Sequence, residues 1–213
     1  MRKNKSKGSW ITIYTTPREY VSVIEAMDAH VTAMIHGEAE ESIWILRHSP
    51  TYTTTERSPF FAPPPHIPVV NTHRGGLTTY HDEGQVIIYA MLRLFRRALT
   101  VREYIMTLEQ WGAALAKYYG ITVEHHEDIR GVWVHHPLSQ EAKKIASVGV
   151  RIRHGVAFHG LSFNFATNLH AFSAISPCGL SSSSMTSLQD FGVILPFEKC
   201  AEDIKRLCPF EAS

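Results

Sequence analysis

The sequence contains little cysteine, no long hydrophobic run and no excess of either charge, and each shortage excludes a class of protein. Its three cysteines, Cys178, Cys200 and Cys208, are an odd number without a Cys-x-x-Cys spacing, which argues against a disulfide framework and favours a reducing compartment. The longest apolar run, from Val86 to Leu92, is far too short to cross a bilayer. The 21 lysines and arginines nearly balance the 20 aspartates and glutamates, so a nucleic acid is a poor candidate partner.

Targeting and metal-binding patterns are also missing. The basic segment from Met1 to Lys7 is not followed by the apolar stretch of a secretion signal, so we expect a cytoplasmic protein with no membrane partner and with residues 1–9 flexible. The 13 histidines include adjacent pairs at 125–126 and 135–136, but no His-Glu-x-x-His spacing. Neighbouring strand residues point to opposite faces, so we interpret these pairs as surface or turn residues and expect no metal site.

Apolar residues at helical spacing predict two long helices and a short one. The first follows Thr16-Pro17-Arg18-Glu19, interpreted as a capping box with proline at the first helical position, and Gly37 suits its C-terminal cap. The second follows the capping box Thr100-Val101-Arg102-Glu103 and closes at Gly120. A terminal helix is predicted from Phe197 to Leu207.

Strand patterns crowd the rest of the chain. They cover residues 11–15, 43–46, 69–70, 85–92, 121–124, 131–135, 145–153 and 156–165. Only a short link separates the last two strands, so we expect an antiparallel hairpin. The proline-rich stretch 51–68 is predicted to be a long surface loop. No linker composition divides the chain, which indicates one α+β domain over residues 1–213, with a mixed β-sheet packed with helices.

The tetrapeptide Ser176-Pro177-Cys178-Gly179 contains the candidate nucleophile. A free thiol titrates near ~8.5 and needs a cationic or basic neighbour to become a thiolate at neutral pH. Upstream, Lys144 offers a base and His159 an imidazole. In isolation Cys178 would be interpreted as a small buried apolar residue, but these neighbours favour a nucleophile. Strand alternation places Lys143 and Lys144 on opposite faces, so only one can point into a site.

A second dense motif runs Arg74-Gly75-Gly76-Leu77-Thr78-Thr79-Tyr80-His81. Paired glycines let a carbonyl or acyl chain lie against bare backbone and expose amide donors. A Gly-Gly pair by itself is common in β-turns. The preceding arginine and the following Thr-Tyr-His make a substrate-binding loop the more specific interpretation.

Together these motifs resemble the octanoyltransferases of lipoate synthesis, also called lipoyl(octanoyl) transferases. The resemblance is carried, in order, by Arg74-Gly75-Gly76, Thr79-Tyr80-His81, Gly84-Gln85, Lys144-Ile145, Gly149 to Arg153, Phe158-His159-Gly160, Asn164 and Pro177-Cys178-Gly179. It extends over nearly the whole chain. That family shares a fold with the catalytic domains of biotin and lipoate ligases, and it moves octanoyl from acyl carrier protein to a lysine of a lipoyl domain.

The resemblance implies a role for each matching residue. Cys178 would become the acyl-thioester, Lys144 would lower the pKa of that thiol and shuttle protons, and His159 is a candidate supporting residue. The implied substrate-binding residues are Arg74, Gly75, Gly76, Leu77, Thr78, Thr79, Tyr80, His81, Ser147, Val148, Gly149, Gly160, Leu161 and Ser162. No ATP, metal or other cofactor is implied, because octanoyl arrives on the phosphopantetheine of acyl carrier protein. The acceptors would be lipoyl domains of 2-oxoacid dehydrogenases and the glycine cleavage H protein, and we expect a monomer.

One motif departs from the family. The chain reads His81-Asp82-Glu83-Gly84-Gln85, whereas the family usually has His-Gly-Pro-Gly-Gln. Two carboxylates there could alter carrier docking or the shape of the acyl site, and His-Asp also resembles the ATP-dependent lipoate ligases. Two alternatives therefore stay open: a lipoate- or biotin-ligase-like enzyme that forms an acyl-adenylate, and a non-catalytic binder of lipoyl domains or carrier protein. A ligase would consume ATP, whereas the transferase would not. A non-catalytic binder would show no turnover.

Overall fold

The structure is a computed structural model that describes residues 10–126, 129–176 and 184–212. Residues 1–9, predicted to be flexible, lie outside the described residues. The strands are β1 (Ile11–Ile13), β2 (Ser42–Leu46), β3 (Thr51–Thr54), β4 (Val69–Asn71), β5 (Thr79–His81), β6 (Gln85–Arg93), β7 (Val123–Glu124), β8 (Val132–His135), β9 (Ala142–Arg153) and β10 (Val156–Asn164). The helices are α1 (Tyr20–Ile35), α2 (Val101–Tyr118) and α3 (Phe197–Arg206).

Two sheets contain these strands. A seven-stranded sheet has the order β1-β2-β6-β10-β9-β8-β7, and a three-stranded sheet has the order β4-β3-β5. The predicted hairpin is confirmed, because β9 and β10 pair antiparallel. His154 and Gly155 connect them with φ values of 48° and 76°, as a two-residue hairpin turn of type I′ requires. Strand β10 is buried along its whole length between β9 and β6.

Alternate residues of β6 build two separate cores. Val86, Ile88 and Ala90 join the core beneath α2, whereas Ile87 and Met91 join the core beneath α1. In α2 the predicted capping box is present, with Thr100 accepting from the amide of Glu103. The predicted α+β fold, a mixed sheet packed with helices, is thereby confirmed. Within the described ranges, no helix is long and apolar enough to cross a membrane.

The first helix begins later than predicted. Its N-cap is Glu19, which makes no side-chain capping bond, and the helix starts at Tyr20. The backbone of Arg18 pairs instead with the segment after β2: its amide donates to the carbonyl of Arg47 at 2.9 Å, and its carbonyl accepts from the amide of Ser49 at 3.1 Å. These bonds keep the chain extended through Arg18, so the predicted capping box is wrong.

Two further expectations need correction. The stretch 51–68 is not all loop, since Thr51–Thr54 forms β3, the central strand of the smaller sheet, with Tyr52 and Thr53 fully buried. Threonine and tyrosine suit a pleated, half-buried surface, and pairing on both sides outweighs the prolines that follow. His136 is a buried residue rather than a surface one, because its ring packs edge-on against Phe191.

Candidate active site

A narrow cavity lies where β6, β9 and β10 meet the Arg74–His81 loop. It encloses about 450 Å³ of empty space, a volume that includes open solvent. The predicted residues that line it are Arg74, Gly75, Gly76, Thr79, His81, Ser147, Val148, Gly149, His159, Gly160, Leu161 and Ser162. Tyr20, Ile87 and Tyr89 also line it, and no sequence motif singled them out.

Three predicted substrate-binding residues do not line this cavity. Thr78 is buried, and its hydroxyl contacts that of Thr54 at 3.3 Å. Tyr80 belongs to a separate apolar cluster, with Tyr52 at a ring distance of 5.1 Å. Leu77 is half-buried outside the cavity. A substrate-binding role for these three residues stays a prediction.

Glycine lets the Arg74–His81 loop lie directly against β9. The amide of Gly75 donates to the carbonyl of Val150 at 3.0 Å. A Cβ on Gly149 would lie 3.0 Å from the carbonyl oxygen of Gly75 and 3.3 Å from Cδ of Arg74. The guanidinium of Arg74 donates to Thr53 on β3, with Nη2 2.7 Å from Oγ1 and 3.0 Å from the carbonyl oxygen. Strand β3, which the sequence did not predict, therefore positions Arg74.

Two buried imidazoles, His81 and His159, line the cavity, and the buried ring of His48 lies beside them, 5.9 Å from that of His81. Nδ1 of His48 contacts the carbonyl oxygen of Arg18 at 3.0 Å and so carries the proton, which leaves Nε2 to accept from the hydroxyl of Tyr89 at 2.8 Å. Burial lowers the pKa of His48 to about 4. Burial, with added repulsion from nearby charges such as Arg74, lowers the pKa of His81 and of His159 to about 3. All three rings are therefore neutral near pH 7.

A chain of hydrogen bonds joins this cavity to Lys144. His81 Nδ1 lies 2.8 Å from Oε1 of Gln85, whose Nε2 donates to Oδ1 of Asn164 at 3.0 Å. Asn164 Nδ2 donates to the carbonyl of Thr186 at 3.0 Å, and the amide of Thr186 donates to the carbonyl of Lys144 at 3.0 Å. These hydrogen bonds hold together the Arg74–His81 loop, the end of β10 and the strand that contains Lys144. Each polar side chain in this series of hydrogen bonds has a partner.

A β-bulge sets the direction of Lys144. Val132 pairs with Ala146, but the next residue, Trp133, pairs with Lys144, so Ile145 is an additional residue on β9. Ile145 and Ala146 both belong to the core beneath α2, and the bulge shifts Lys144 off that face. Lys144 is 2% exposed and its Nζ lies 5.8 Å from the centroid of the Trp133 ring. Lys143 is only partly buried, as expected if the two lysines point to opposite faces.

Gly131 makes room for this lysine. Its φ of +129° lies in a region that favours glycine. A Cβ there would lie 2.4 Å from Cε of Lys144 and 2.5 Å from the carbonyl oxygen of Ala146. From the sequence, Gly131 is predicted only to begin a strand, because nothing local shows that a side chain from another strand occupies this space.

Cys178 belongs to residues 177–183, which lie outside the described residues. After this segment, Met185 forms a β-bridge with Lys144. The other two cysteines are described: Cys200 is fully buried on α3, and Cys208 follows the end of that helix. Burial raises the pKa of Cys200 to about 12 and also raises the pKa of Cys208, so both thiols stay protonated and poorly nucleophilic near pH 7.

The carboxylate of Asp82 faces backbone rather than the cavity. Its Oδ1 accepts from the amide of Gly84 and its Oδ2 from the amide of Asn168, both at 2.9 Å. Burial raises its pKa, and these two donors oppose that rise. The neighbouring Glu83 is exposed. Asp82 therefore fastens the turn before β6 to the segment after β10. Across the described residues, no group of three or more histidine, cysteine or acidic side chains is placed to hold a metal ion.

Comparison with known proteins assigns the family. The model of the lipoyl protein ligase A/B catalytic domain matches residues 20–206. The chain belongs to this family. It is similar to an octanoyltransferase of Rhodopseudomonas palustris, with 40% identity over 204 residues that cover 93% of this chain and 86% of the relative. It is also 42% identical over 181 residues to an octanoyltransferase of Parvibaculum lavamentivorans, covering 83% of this chain and 80% of the relative. The resemblance drawn from the motifs is confirmed.

Solved structures share the fold of this family member. A bipartite lipoate protein ligase of Thermoplasma acidophilum superimposes with a TM-score of 0.62 at 15% identity, over 92% of this chain and 80% of that one. A lipoate-protein ligase A bound with ATP gives a TM-score of 0.62 at 14% identity, over 92% of this chain and 82% of that one. At such low identity the likeness concerns architecture alone.

Proposed function

We propose that this protein is an octanoyl-[acyl-carrier-protein]:protein N-octanoyltransferase that acts through a thioester on Cys178. It moves an octanoyl group from acyl carrier protein to a lysine of a lipoyl domain, the first step of lipoate synthesis on the protein. The curated octanoyltransferases that match most of the chain support the reaction class. The main structural support for the proposal is the narrow cavity, which is lined in part by glycine and serine residues. Hydrogen bonds connect it to the strand that contains the buried Lys144.

The cavity suits an acyl chain. Gly149 and Gly160 form part of its wall on neighbouring strands, and the His81 and His159 rings that line it are neutral. Neutral rings present apolar surface without the cost of burying charge.

The reaction takes place in two steps. In the first, Lys144 accepts the proton of Cys178, and the thiolate attacks the thioester carbonyl of the carrier-bound octanoyl group. The carrier thiolate leaves and takes the proton from Lys144. In the second, the acceptor lysine attacks the Cys178 thioester, Lys144 accepts the amine proton, and the Cys178 thiolate leaves as the amide forms. One thioester replaces another and is then converted to an amide, so no ATP, metal or cofactor enters the balance.

Two features of the described residues support these roles. Cys200 and Cys208 are unsuited to form the thioester, because burial raises the pKa of both thiols. Shortly after residues 177–183 in the sequence, Met185 forms a β-bridge with Lys144, and the amide of Thr186 donates to the carbonyl of Lys144. The proposal includes a cytoplasmic monomer whose acceptors are the lipoyl domains of 2-oxoacid dehydrogenases and the glycine cleavage H protein.

The proposal is tested by intact-mass measurement after mixing the protein with octanoyl acyl carrier protein alone. We expect one added octanoyl group, removable by hydroxylamine and absent in Cys178→Ala, while Cys200→Ala and Cys208→Ala keep it. Addition of a lipoyl domain should transfer the group without ATP. An adduct on Cys200 or Cys208 would contradict the assignment. A requirement for ATP and free fatty acid would favour the ligase alternative, and binding without turnover would favour a non-catalytic binder.

A further inference from the structure

The cavity has a direction along the sheet. Ser147 of β9 pairs with Ser162 of β10, and Gly149 pairs with Gly160 two residues further from Lys144. Both pairs border the cavity, so it extends along the strands away from the lysine, by roughly 6.6 Å between these two rows. In the proposed reaction the acyl carbonyl lies at the Lys144 end. The tail of the acyl chain therefore extends toward the far end.

Tyr20 and His159 separate this far end from a second cavity. The second cavity lies outside the Arg74–His81 loop, between α1 and the segment after β4, and encloses about 520 Å³ including open solvent. Ile24 of α1 and His73 are among the residues that line it. Tyr20 and His159 line both cavities. These two side chains form the partition between an inner and an outer space.

Packing against neighbouring rings holds both side chains of the partition in place. Tyr20 is 2% exposed, and its ring stacks on that of His81 at 5.7 Å with an interplanar angle of 12°. His159 is 4% exposed, stacks on Phe158 at 5.4 Å and meets Tyr89 edge-on at 5.8 Å.

His159 is also strained. Its φ of +60° is unusual for a residue in the middle of a strand. Such strain persists only where the surroundings impose it, and it is often found at ligand sites. Here the strained residue is one of the two that close the cavity.

We propose that Tyr20 and His159 set the upper length of the acyl chain and thereby restrict the enzyme to medium-chain substrates. This inference rests on the proposed transfer function. A chain longer than the inner cavity would have to displace one of these buried rings. Removing either ring joins the two cavities and gives the tail of a longer chain a place to lie.

The test uses His159→Gly, because glycine accepts the backbone conformation that histidine adopts with strain. The kcat/KM for octanoyl and dodecanoyl acyl carrier protein is measured with a lipoyl domain as acceptor. Wild type should prefer octanoyl, and His159→Gly should raise the dodecanoyl-to-octanoyl ratio by on the order of 10-fold or more. His154→Gly is the matched control, since His154 also has a positive φ (48°) but lies exposed in the hairpin turn. Its ratio should equal that of wild type.

A second pair of variants tests the same inference if His159→Gly does not fold. Tyr20→Ala should shift the ratio in the same direction as His159→Gly. Tyr20→Phe keeps the ring and loses only the hydroxyl that donates to Thr72, so its ratio should stay near that of wild type. The melting temperature of each variant shows whether it is folded.

Calorimetric binding of octanoate and dodecanoate separates this inference from the proposed function. If wild type transfers nothing but His159→Gly gains dodecanoate binding, the proposed function is wrong and the partition is supported. If wild type transfers octanoyl while both His159→Gly and Tyr20→Ala keep the wild-type ratio, the partition is wrong. Equal use of dodecanoyl and octanoyl by wild type would also overturn it.

Discussion

Strand β10 presents two different faces made from alternate residues. Ala157 and Phe163 point into the core beneath α2, where aromatic and aliphatic side chains leave them no exposure. Gly160 and Ser162 border the cavity, and Gly160 also lets β6 approach closely, since a Cβ there would lie 2.2 Å from the carbonyl oxygen of Ile88. The same hydrogen-bonded strand thus packs into the core on one side and borders a cavity on the other. The packed face fixes the position of the backbone, and that fixed backbone forms one wall of the cavity.

The neighbouring strand shows how a bulge turns one side chain, Lys144, away from the core. In β9 the additional residue Ile145 stays in the core, and Lys144 is redirected away from the core that holds Ala146. Bulges are common next to active sites because they re-aim one side chain without disturbing the rest of the sheet. The difference between the two faces can be tested by substitutions on either side.

The largest effect is expected from Lys144→Ala. Loss of a positioned general base should lower the transfer rate by about 10²–10⁴-fold. Lys144→Arg should restore little, because arginine holds its proton too tightly to act as a base. Lys143→Ala, one residue away and partly exposed, is the matched control and should be nearly silent. Single-turnover transfer rates and the pH profile of Cys178 alkylation are the measurements. If Lys143→Ala lowered the rate more than Lys144→Ala does, the general base would be Lys143 and the assignment of Lys144 would be wrong.

The second-largest effect is the difference in stability between Phe163→Ala and Ser162→Ala. Removing the fully buried Phe163 ring should lower the free energy of unfolding by about 3–5 kcal/mol, because the core beneath α2 cannot refill the space. Ser162→Ala removes only a hydroxyl at the cavity and should cost less than about 1 kcal/mol. Urea denaturation followed by circular dichroism gives both values. Equal destabilisation would show that the cavity face is packed like the core.

The smallest effect is expected from Gly131→Ala, compared with Gly120→Ala. Both glycines have positive φ, at 129° and 77°, a conformation in which alanine is strained. At Gly131 the methyl group would also meet Cε of Lys144 and the carbonyl oxygen of Ala146, whereas nothing lies within 4 Å of a Cβ on Gly120. We expect Gly131→Ala to lower kcat by on the order of 10²-fold through displacement of the lysine. A similar loss in Gly120→Ala would mean that strain, rather than displacement, lowers the rate.

The structure also explains the acidic pair Asp82-Glu83, which stands where the family motif usually has Gly-Pro. The sequence suggested that Asp82 and Glu83 could change the acyl site or indicate a ligase. In the structure Asp82 accepts from the amides of Gly84 and Asn168, and Glu83 is exposed. The carboxylate acts on loop geometry, so it gives no direct support to adenylate chemistry.

Local patterns were sufficient for much of the fold and of the site. Capping at Thr100, the β9–β10 hairpin and the positive-φ glycines at 37 and 120 depend on residues close together in the chain, and all are found in the structure. The motifs around Arg74, Lys144 and Gly160 were recognisable because they resemble those of a known family.

Contacts between distant segments decided the rest. His48, Tyr20 and Tyr89 lie far apart in the sequence, and no local signal indicates that their rings meet beside one cavity. Gly131 matters only because the side chain of Lys144 lies against it. The late start of α1 follows from strand-like pairing of Arg18. The sequence by itself determined which local conformations and chemical groups are available. The tertiary structure decided which of them share a cavity, because burial and strand register depend on the whole sheet.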